Sequence, residues 1–353
     1  MLEIIYIIIT LGLTIFVHEF GHFIVAKGLG IKVESFSIGW GPRIFGFKRK
    51  ETEYIVSLFV FLGGYVKLAG EQPEEADKVG EGAFLNQPSY KKIAVGLAGV
   101  VQNYILAILL MFVVFLAGIP NLKPVVGDLK KGYPAEAAGL QKGDEIIEVN
   151  GKQIKYWDEL TDEITKNTGT AITVKIKRGG KTIDFKITPK VEEIEDVIKD
   201  KSNRAFIGIM PSEQDMVVEK IGVTAAAKRA VDQTWYFTVL TVKGVYKMIT
   251  RKIAPDIAGP IGVAQITWKV AKTGLINLLM LISIININLA LFNLMPVMPF
   301  DGGLILIFLI ELFTRKRVSL KVQEALMQIG WAFVIVLIIF VTYHDILRII
   351  KGG

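Results

Sequence analysis

Residues 2–25 read LEIIYIIITLGLTIFVHEFGHFIV and form the first of several long apolar runs in a chain of 353 residues. A helix needs roughly 20 apolar residues to cross the hydrocarbon core of a bilayer. Comparable runs lie at 93–118, 275–298 and 327–350. The pattern therefore predicts a polytopic α-helical membrane protein with about four transmembrane helices.

The composition supports this fold class. The chain is 52% apolar and only 21% charged, and its mean hydropathy is +0.46, which is unusual for a soluble protein. The net charge of +7 requires no nucleic acid, because basic residues collect beside membrane spans. Cysteine is absent, so any metal site must use histidine and carboxylate side chains.

Basic residues in the short loops predict the orientation of the chain. Loops rich in lysine and arginine stay in the cytoplasm. The basic residues of the first and last loops include Lys27, Lys32, Arg43, Lys48, Arg49, Lys50, Lys91, Lys92, Arg315, Lys316, Arg317 and Lys321. Both loops are therefore expected inside, which puts both termini and the polar block between the second and third runs outside. Basic residues at 243–252 argue weakly against this orientation.

The first run carries His18, Glu19 and His22 in the sequence HEFGH. Positions i and i+4 share one face of a helix, so both imidazoles can reach one metal ion. Glu19 is then placed to take a proton from a metal-bound water. A purely structural role is disfavoured, because each ionisable group inside a membrane costs roughly 2.5–3.5 kcal/mol without compensation.

A catalytic zinc usually has a third protein ligand and one open position. The best candidate is Asp301, which follows two prolines and is the only carboxylate between Asp256 and Glu311. The alternative role for Asp301 is a helix cap after the proline turn. His344 is the other candidate ligand, but its place at the far end of the last run favours an interfacial histidine.

Residues 53–70, EYIVSLFVFLGGYVKLAG, are β-branched and aromatic, with two glycines at the centre. This composition predicts strands around a bend at Gly63 and Gly64. Backbone groups beside a membrane must be paired within protein, so we expect a membrane-associated β-hairpin. An extended substrate can add to such strands, which makes Gly63, Gly64 and Tyr65 candidate substrate contacts.

The polar part of the chain predicts an inserted α/β domain at 121–190, with a helix at 156–166 and a strand pair around Gly179 and Gly180. Residues 223–250 have mixed polarity and predict a helix that lies on the membrane surface. The predicted organisation is an N-terminal membrane core at 1–118, the α/β domain at 121–190, a connecting segment at 191–272 and a C-terminal membrane core at 273–353.

Taken in order, these motifs resemble the site-2 protease family of intramembrane zinc metalloproteases, in particular the bacterial branch that cleaves anti-sigma factors and signal-peptide remnants. The matching segments are HEFGH, FLGGYVKLAGE, FLNQPSYKKIAVGLAGVVQN, GYPAEAAGLQKGDEIIEVNGKQI, GPIGVAQI and NLALFNLMPVMPFDGG. The fourth segment is similar to a bacterial PDZ domain. One departure is that Val100, and not the family's proline, follows Gly99 before Asn103.

The resemblance implies a site as well as a fold. It assigns one Zn²⁺ per chain to His18, His22 and Asp301, with Glu19 as the base. It also implies substrate-binding asparagines: Asn288 and Asn293 match those that hold the substrate backbone, and Asn103 matches the one in the second span. The alternative role for Asn288 and Asn293 is hydrogen bonding between helices of the fold.

The implied activity is regulated intramembrane proteolysis in the bacterial cytoplasmic (inner) membrane. Its partners would be single-span membrane protein substrates, the lipid bilayer and an upstream site-1 protease where a prior cut is required, with no nucleic acid. The PDZ domain would lie outside the cytoplasm and either exclude bulky substrates or bind a newly exposed C-terminus. Two other functions were weighed, a non-catalytic PDZ adaptor and a metal transporter. The complete HEFGH motif and the single intramembrane cluster of ionisable residues favour the protease.

Overall fold

The computed structural model describes residues 2–195, 198–199, 201–212, 214–253 and 258–350. The remaining residues of the predicted connecting segment, among them 254–257, lie outside this description. The chain divides into two compact units. We call them the membrane unit (Met1–Val114, Ala226–Val242 and Pro255–Gly353) and the inserted unit (Phe115–Ala225 and Lys243–Ala254).

The helices and strands alternate irregularly along the chain. In chain order they are α1 (Leu2–Gly28), β1 (Val33–Arg49), β2 (Thr52–Leu68), α2 (Pro73–Val79), α3 (Ser89–Ala117), β3 (Ile119–Leu122), β4 (Val126–Leu129), α4 (Pro134–Ala138), β5 (Glu145–Val149), β6 (Lys152–Gln153), α5 (Trp157–Lys166), β7 (Ile172–Arg178), β8 (Lys181–Ile187), β9 (Lys190–Glu195), β10 (Lys201–Phe206), β11 (Ile209–Pro211), β12 (Met216–Glu219), α6 (Val223–Ile249), α7 (Pro260–Ala271), α8 (Leu275–Asn293), α9 (Asp301–Thr314) and α10 (Leu320–Ile350).

Four helices of the described chain, α1, α3, α8 and α10, are long and apolar enough to cross a membrane. They coincide with the four apolar runs, so the prediction that these runs form long apolar helices is confirmed. α8 ends at Asn293, earlier than the predicted 298, because the prolines at 296 and 299 cannot continue a helix. The protein is a multi-pass membrane protein.

Glycine lets α1 and α3 approach each other closely. A Cβ on Gly21 would lie 2.5 Å from the backbone oxygen of Ala98 in α3. Any other residue at position 21 would therefore push the two helices apart. Glycine costs about 1 kcal/mol in a helix interior, and close packing compensates for that cost here.

The predicted hairpin at 53–70 needs correction. The tight turn lies at residues 50–51, where Arg49 pairs with Thr52, and β2 pairs with β1, a strand absent from the sequence prediction. Phe36 of β1 has two partners in β2, Tyr54 and Val66. The stretch 33–38 therefore lies between the two halves of β2, which do not pair with each other.

The first strand escaped prediction because its sequence contains several strand-breaking residues. VESFSIGWGPRIFGFKR includes Pro42 and three glycines, which are poor strand formers. Gly39 and Gly41 have φ angles of 96° and 89°, in the left-handed region that favours glycine. They allow β1 to bend between the half that pairs with both stretches of β2 and the half that ends at the tight turn.

Two buried glycines join α7 to α10. The Asp345 carboxylate, which is 1% exposed, accepts the backbone N–H of Gly259 at 3.2 Å and of Gly262 at 2.8 Å. A Cβ on either glycine would lie 2.6 Å from a carboxylate oxygen. The glycines of GPIG therefore leave room for a carboxylate from the last span.

The inserted unit contains an antiparallel sheet of four strands in the order β6-β5-β7-β8. The predicted helix at 156–166 is confirmed as α5, and the predicted strand pair around Gly179 and Gly180 is confirmed as β7 and β8. Alternate residues of β7 face the core, as expected for a strand with one buried face. The core includes Ile146, Leu160, Ile172, Val174 and Ile176.

The inserted unit is longer than the predicted block 121–190. Strands that follow this block return to its beginning, since Ile209 pairs with Leu129 and Val217 pairs with Asn121. Partners so distant in sequence leave no local signal, so the predicted end at 190 is too early. The segment 223–250 is helical as predicted, in α6, while its position on the membrane surface stays a prediction.

One ion pair fixes a loop to the sheet of the inserted unit. Asp144 is 1% exposed and accepts hydrogen bonds of 2.6 and 2.7 Å from the guanidinium of Arg178 and one of 2.8 Å from the backbone N–H of Gln141. Burial alone would raise the pKa of the Asp144 carboxyl, but these hydrogen bonds hold it below its ordinary value.

Candidate active site

Three potential metal ligands meet inside the membrane unit. α1 presents His18 and His22 on one face, and the first residue of α9 presents Asp301. Asp301 Oδ2 lies 3.1 Å from His18 Nε2 and 3.4 Å from His22 Nε2, and the two Nε2 atoms are 3.2 Å apart. Among the described residues, this is the only group of three that could hold a metal ion.

The three atoms fit a tetrahedral metal. Zinc binds histidine nitrogen and carboxylate oxygen at about 2.0–2.2 Å, so tetrahedral ligand atoms stand about 3.3–3.5 Å apart. The separations of 3.1, 3.2 and 3.4 Å are close to this value. Asp301 Oδ2 is also buried without a hydrogen-bond partner of suitable direction among the described residues. A cation between the three atoms would satisfy it.

The turn before α9 aims Asp301 at the histidines. Leu294 follows the end of α8, and the chain then folds back through the two prolines into α9. A Cβ on Gly302 would lie 2.3 Å from the backbone oxygen of Leu294, and one on Gly303 would lie 2.6 Å from the backbone nitrogen of Met298. The alternative role as a cap is not supported, because the first turn of α9 has no side-chain capping bond.

A backbone carbonyl orients His22. Nδ1 of His22 lies 2.8 Å from the carbonyl oxygen of Val95 in α3, so the ring donates its Nδ1–H there. The proton on Nδ1 leaves the lone pair on Nε2, which faces Asp301. Such an outward hydrogen bond fixes the tautomer of a histidine ligand.

Gly99 makes room for both imidazoles. A Cβ at this position of α3 would lie 2.5 Å from His22 Nε2 and 2.6 Å from His18 Cε1. Only glycine therefore allows the backbone of α3 to pass this close to the two rings. The sequence contains a signal for this role, since a glycine in a helix interior needs a packing reason.

Glu19 stands beside β2. The backbone N–H of Val66 lies near its carboxylate, and a Cβ on Gly64 would lie 3.2 Å from Glu19 Cγ. The predicted base and the predicted substrate-binding strand are therefore adjacent. Glycine at position 64 also permits close contact with β1, because a Cβ there would lie 2.6 Å from the backbone oxygen of Ser37.

The profile of the family described as "Peptidase family M50" matches residues 6–337 of the chain. The chain belongs to this family, the site-2 protease family. The resemblance stated from the motifs is thereby confirmed, and the protein is a metalloprotease.

Relatives of this M50 peptidase cover nearly the whole chain. The Campylobacter jejuni protein Cj1068 is 33% identical and covers 99% of this chain and 94% of its own length. A Geobacillus kaustophilus protein named zinc metalloprotease RasP is 30% identical and covers 98% and 97%, respectively. A Bacillus subtilis protein named regulator of sigma-W protease RasP is 28% identical and covers 97% of each chain.

Among solved structures, the PDZ domain of an SdrC-like protein from Listeria innocua is 28% identical to this M50 peptidase. It covers 25% of this chain and 92% of that domain, with a TM-score of 0.20.

The three predicted asparagines of this M50 peptidase have different surroundings in the structure. Asn293 reaches the metal triad, with Nδ2 3.2 Å from His18 Nε2. Asn288 Oδ1 accepts a hydrogen bond of 2.8 Å from Thr241 in α6, which fits the alternative role of hydrogen bonding between helices. Asn103 is completely buried and faces His18 from α3.

The other predicted residues of this M50 peptidase lie in β2 and α10. Gly63 has a φ angle of 132°, and the ring of Tyr65 packs 5.2 Å from the ring of Trp40 in β1. His344 packs 4.5 Å from the ring of Phe340 in α10 and is outside the metal triad. The alternative that His344 is the third ligand is therefore not favoured.

Proposed function

We propose that this M50 peptidase is a zinc-dependent intramembrane endopeptidase that cleaves single-span membrane proteins within or near their transmembrane segments. The observation that supports this proposal is the triad of His18, His22 and Asp301. The distances between its three potential ligand atoms fit tetrahedral coordination of one ion. The triad involves a helix of spanning length, which supports cleavage within the membrane. One Zn²⁺ per chain fits this single triad.

Each residue of the site has its own role in the proposed reaction. A bound zinc ion polarises the scissile carbonyl and acidifies water. Glu19 takes the proton of the attacking water and returns it to the leaving amine, so one carboxylate serves as base and then as acid. The carbonyl of Val95 keeps His22 in one tautomer. The amide of Asn293, close to His18, is placed to donate a hydrogen bond to the substrate backbone.

The proposed substrate must be extended at the cleaved bond. A transmembrane helix hides its carbonyls in its own hydrogen bonds, so a protease has to unwind it locally. The stretch of β2 around Gly64 and Tyr65 supports this step, because it runs beside Glu19. Strand addition there would hold the substrate extended next to the base.

We place the protein in the bacterial cytoplasmic (inner) membrane with both termini and the inserted unit outside the cytoplasm. The basic loop that includes β1 and β2 supports this orientation. The name of the Bacillus subtilis relative, regulator of sigma-W protease, supports a role in the control of a sigma factor, and we propose anti-sigma factors as a substrate class. We also propose that a site-1 protease trims such substrates beforehand.

The inserted unit has a groove that favours peptide recognition over simple size exclusion. A cavity of about 160 Å³ lies between α5 and residues 205–209 and is lined by apolar side chains such as Trp157, Leu160 and Ile164. PDZ domains bind an extended peptide as an added strand, with pockets that hold its side chains. We therefore propose that the unit binds the new C-terminus of a trimmed substrate.

The central experiment is cleavage of a single-span substrate by the purified full-length protein in detergent. We expect cleavage by the wild type, loss of cleavage after zinc chelation and recovery when zinc is restored. Glu19→Gln should keep zinc but lose cleavage, because an amide cannot take the proton of water. The matched control is Glu324→Gln on the exposed face of α10, which should cleave normally. Cleavage that survives in Glu19→Gln would remove Glu19 from the mechanism.

A further inference from the structure

Asn103 carries an unexplained buried oxygen. Its side chain is 0% exposed, Nδ2 lies 3.3 Å from His18 Nδ1, and Oδ1 has no hydrogen-bond partner among the described residues. An unsatisfied buried polar atom destabilises the folded protein. Such an atom directly behind a candidate metal ligand calls for a functional reason.

His18 needs an acceptor at Nδ1 if it is to bind a metal through Nε2. A neutral imidazole carries one proton, so a free lone pair on Nε2 requires the proton on Nδ1. His22 has the carbonyl of Val95 for this purpose. Among the described residues, only the side chains of Asn103 and Asn293 lie within hydrogen-bond distance of Nδ1 of His18, at 3.3 and 3.5 Å, and Asn293 lies closer to Nε2, at 3.2 Å.

The Asn103 amide can supply that acceptor. Rotation of the amide by about 180° exchanges oxygen and nitrogen with almost no change in shape. The carbonyl oxygen then faces His18 Nδ1 and accepts its N–H. We propose that Asn103 is a positioning residue that holds His18 in the tautomer with Nε2 free for zinc. This inference rests on the proposed function.

The burial of Asn103 separates this role from the one implied by the family resemblance. A side chain with no exposed surface cannot contact a substrate that enters from the membrane. Its amide nitrogen lies 3.3 Å from Nδ1 of His18. The contribution of Asn103 to catalysis is therefore indirect and acts through the metal ligand.

Two substitutions separate acceptor chemistry from packing. Asn103→Leu keeps a similar volume but has no acceptor, whereas Asn103→Asp keeps an oxygen that faces Nδ1. The matched control is Asn286→Leu. Asn286 is also fully buried with an unpaired Oδ1, but it bonds Thr14 and the backbone of Ile282 and makes no bond to His18.

The test is the zinc affinity of the full-length protein in detergent, measured by competition with a chelator of known affinity. Loss of a hydrogen-bond partner behind a metal ligand typically weakens binding about 10–100-fold, and we expect this for Asn103→Leu. Asn103→Asp and Asn286→Leu should bind zinc within about threefold of the wild type. NMR of the histidine rings should show His18 protonated on Nδ1 in the zinc-loaded wild type and in Asn103→Asp.

The outcomes are distinguishable. Wild-type affinity in Asn103→Leu, or an equal loss in Asn103→Asp and Asn103→Leu, would overturn the positioning role and leave the proposed function intact. A wild-type protein that binds no zinc would instead overturn the proposed function. If Asn103→Leu does not fold, Asn103→Ala takes its place in the same measurement, because it removes the acceptor without adding bulk.

Discussion

Lys92 and Glu311 form an ion pair of 2.7 Å in which both side chains are almost fully buried, at 3% and 7% exposure. The pair joins the first turn of α3 to the last turn of α9. The ammonium group of Lys92 also lies 4.5 Å from the centre of the Phe308 ring, and Glu311 Oε1 accepts the backbone N–H of Val318. The start of α3 is thereby tied to the helix that begins with Asp301.

Lys92→Met should destabilise the protein by about 3–5 kcal/mol, because it leaves the buried carboxylate of Glu311 without its partner. The double variant Lys92→Met/Glu311→Leu should recover most of this loss, since it contains no unpaired charge. Unfolding in detergent measures both effects. Equal stability of the single and double variants would show that the pair is not electrostatically coupled.

Asp301→Ala should bind zinc far more weakly than the wild type. It removes one of three proposed ligands, so the loss should exceed the roughly 10–100-fold that is typical for a partner behind a ligand. Metal content and chelator competition measure it, and Asp232→Ala on the exposed face of α6 is the control. Normal zinc binding by Asp301→Ala would mean that the third ligand lies elsewhere.

Gly99→Ala should impair zinc binding and cleavage together. The added methyl group would lie within 2.6 Å of atoms in both imidazole rings, so the rings must move. A displacement of about 1 Å in such a site can reduce activity about 10²-fold. Gly28→Ala in α1 is the matched control, because a Cβ there has open space. Unchanged zinc affinity in Gly99→Ala would show that α3 can move away from the two imidazole rings without weakening the metal site.

Asp144→Asn should weaken the inserted unit by about 1.5–3 kcal/mol near pH 7, because it removes a charged partner of Arg178. The pKa of Asp144 is lowered in the folded state, so its contribution is complete above the unfolded value of about 3.9 and is lost as pH falls through the folded value. The difference between wild type and variant should therefore shrink in acid. Unfolding measured across this pH range tests it, with the exposed Asp162→Asn as control.

Thr161→Lys should slow the cleavage of trimmed substrates about tenfold, equivalent to about 1.4 kcal/mol of binding, by blocking the groove beside α5. Untrimmed substrates should be unaffected. Thr168→Lys, an exposed position outside the groove, should leave both rates unchanged. Rates for trimmed substrates that stay the same in Thr161→Lys would favour exclusion by size, in which the groove plays no part.

Much of the membrane unit was predictable because its signals are local. The i, i+4 spacing of His18 and His22 puts both rings on one face, and the isolated carboxylate of Asp301 made it the natural third ligand. The four apolar runs predicted the spanning helices for the same reason, since length and hydropathy are read within one segment.

The sequence did not predict features that depend on distant partners. β1 is rich in glycine and is stabilised by pairing on both edges with β2. The roles of Gly99, Thr241 and the carbonyl of Val95 arise only when α1, α3, α6 and α8 are packed. A backbone carbonyl in particular has no sequence signature, because every residue has one.

The order in which the chain is synthesised determines when the sheet and the proposed metal site of the membrane unit are completed. Residues 33–38 are synthesised before β2 but pair with both of its halves. The half that ends at Leu68 completes the sheet edge beside Glu19. Asp301 follows only after the entire inserted unit has been synthesised. A ribosome-bound chain therefore carries HEFGH for most of its synthesis without the proposed third ligand. The proposed metal site is therefore complete only late in biogenesis, because its ligands lie at opposite ends of the chain.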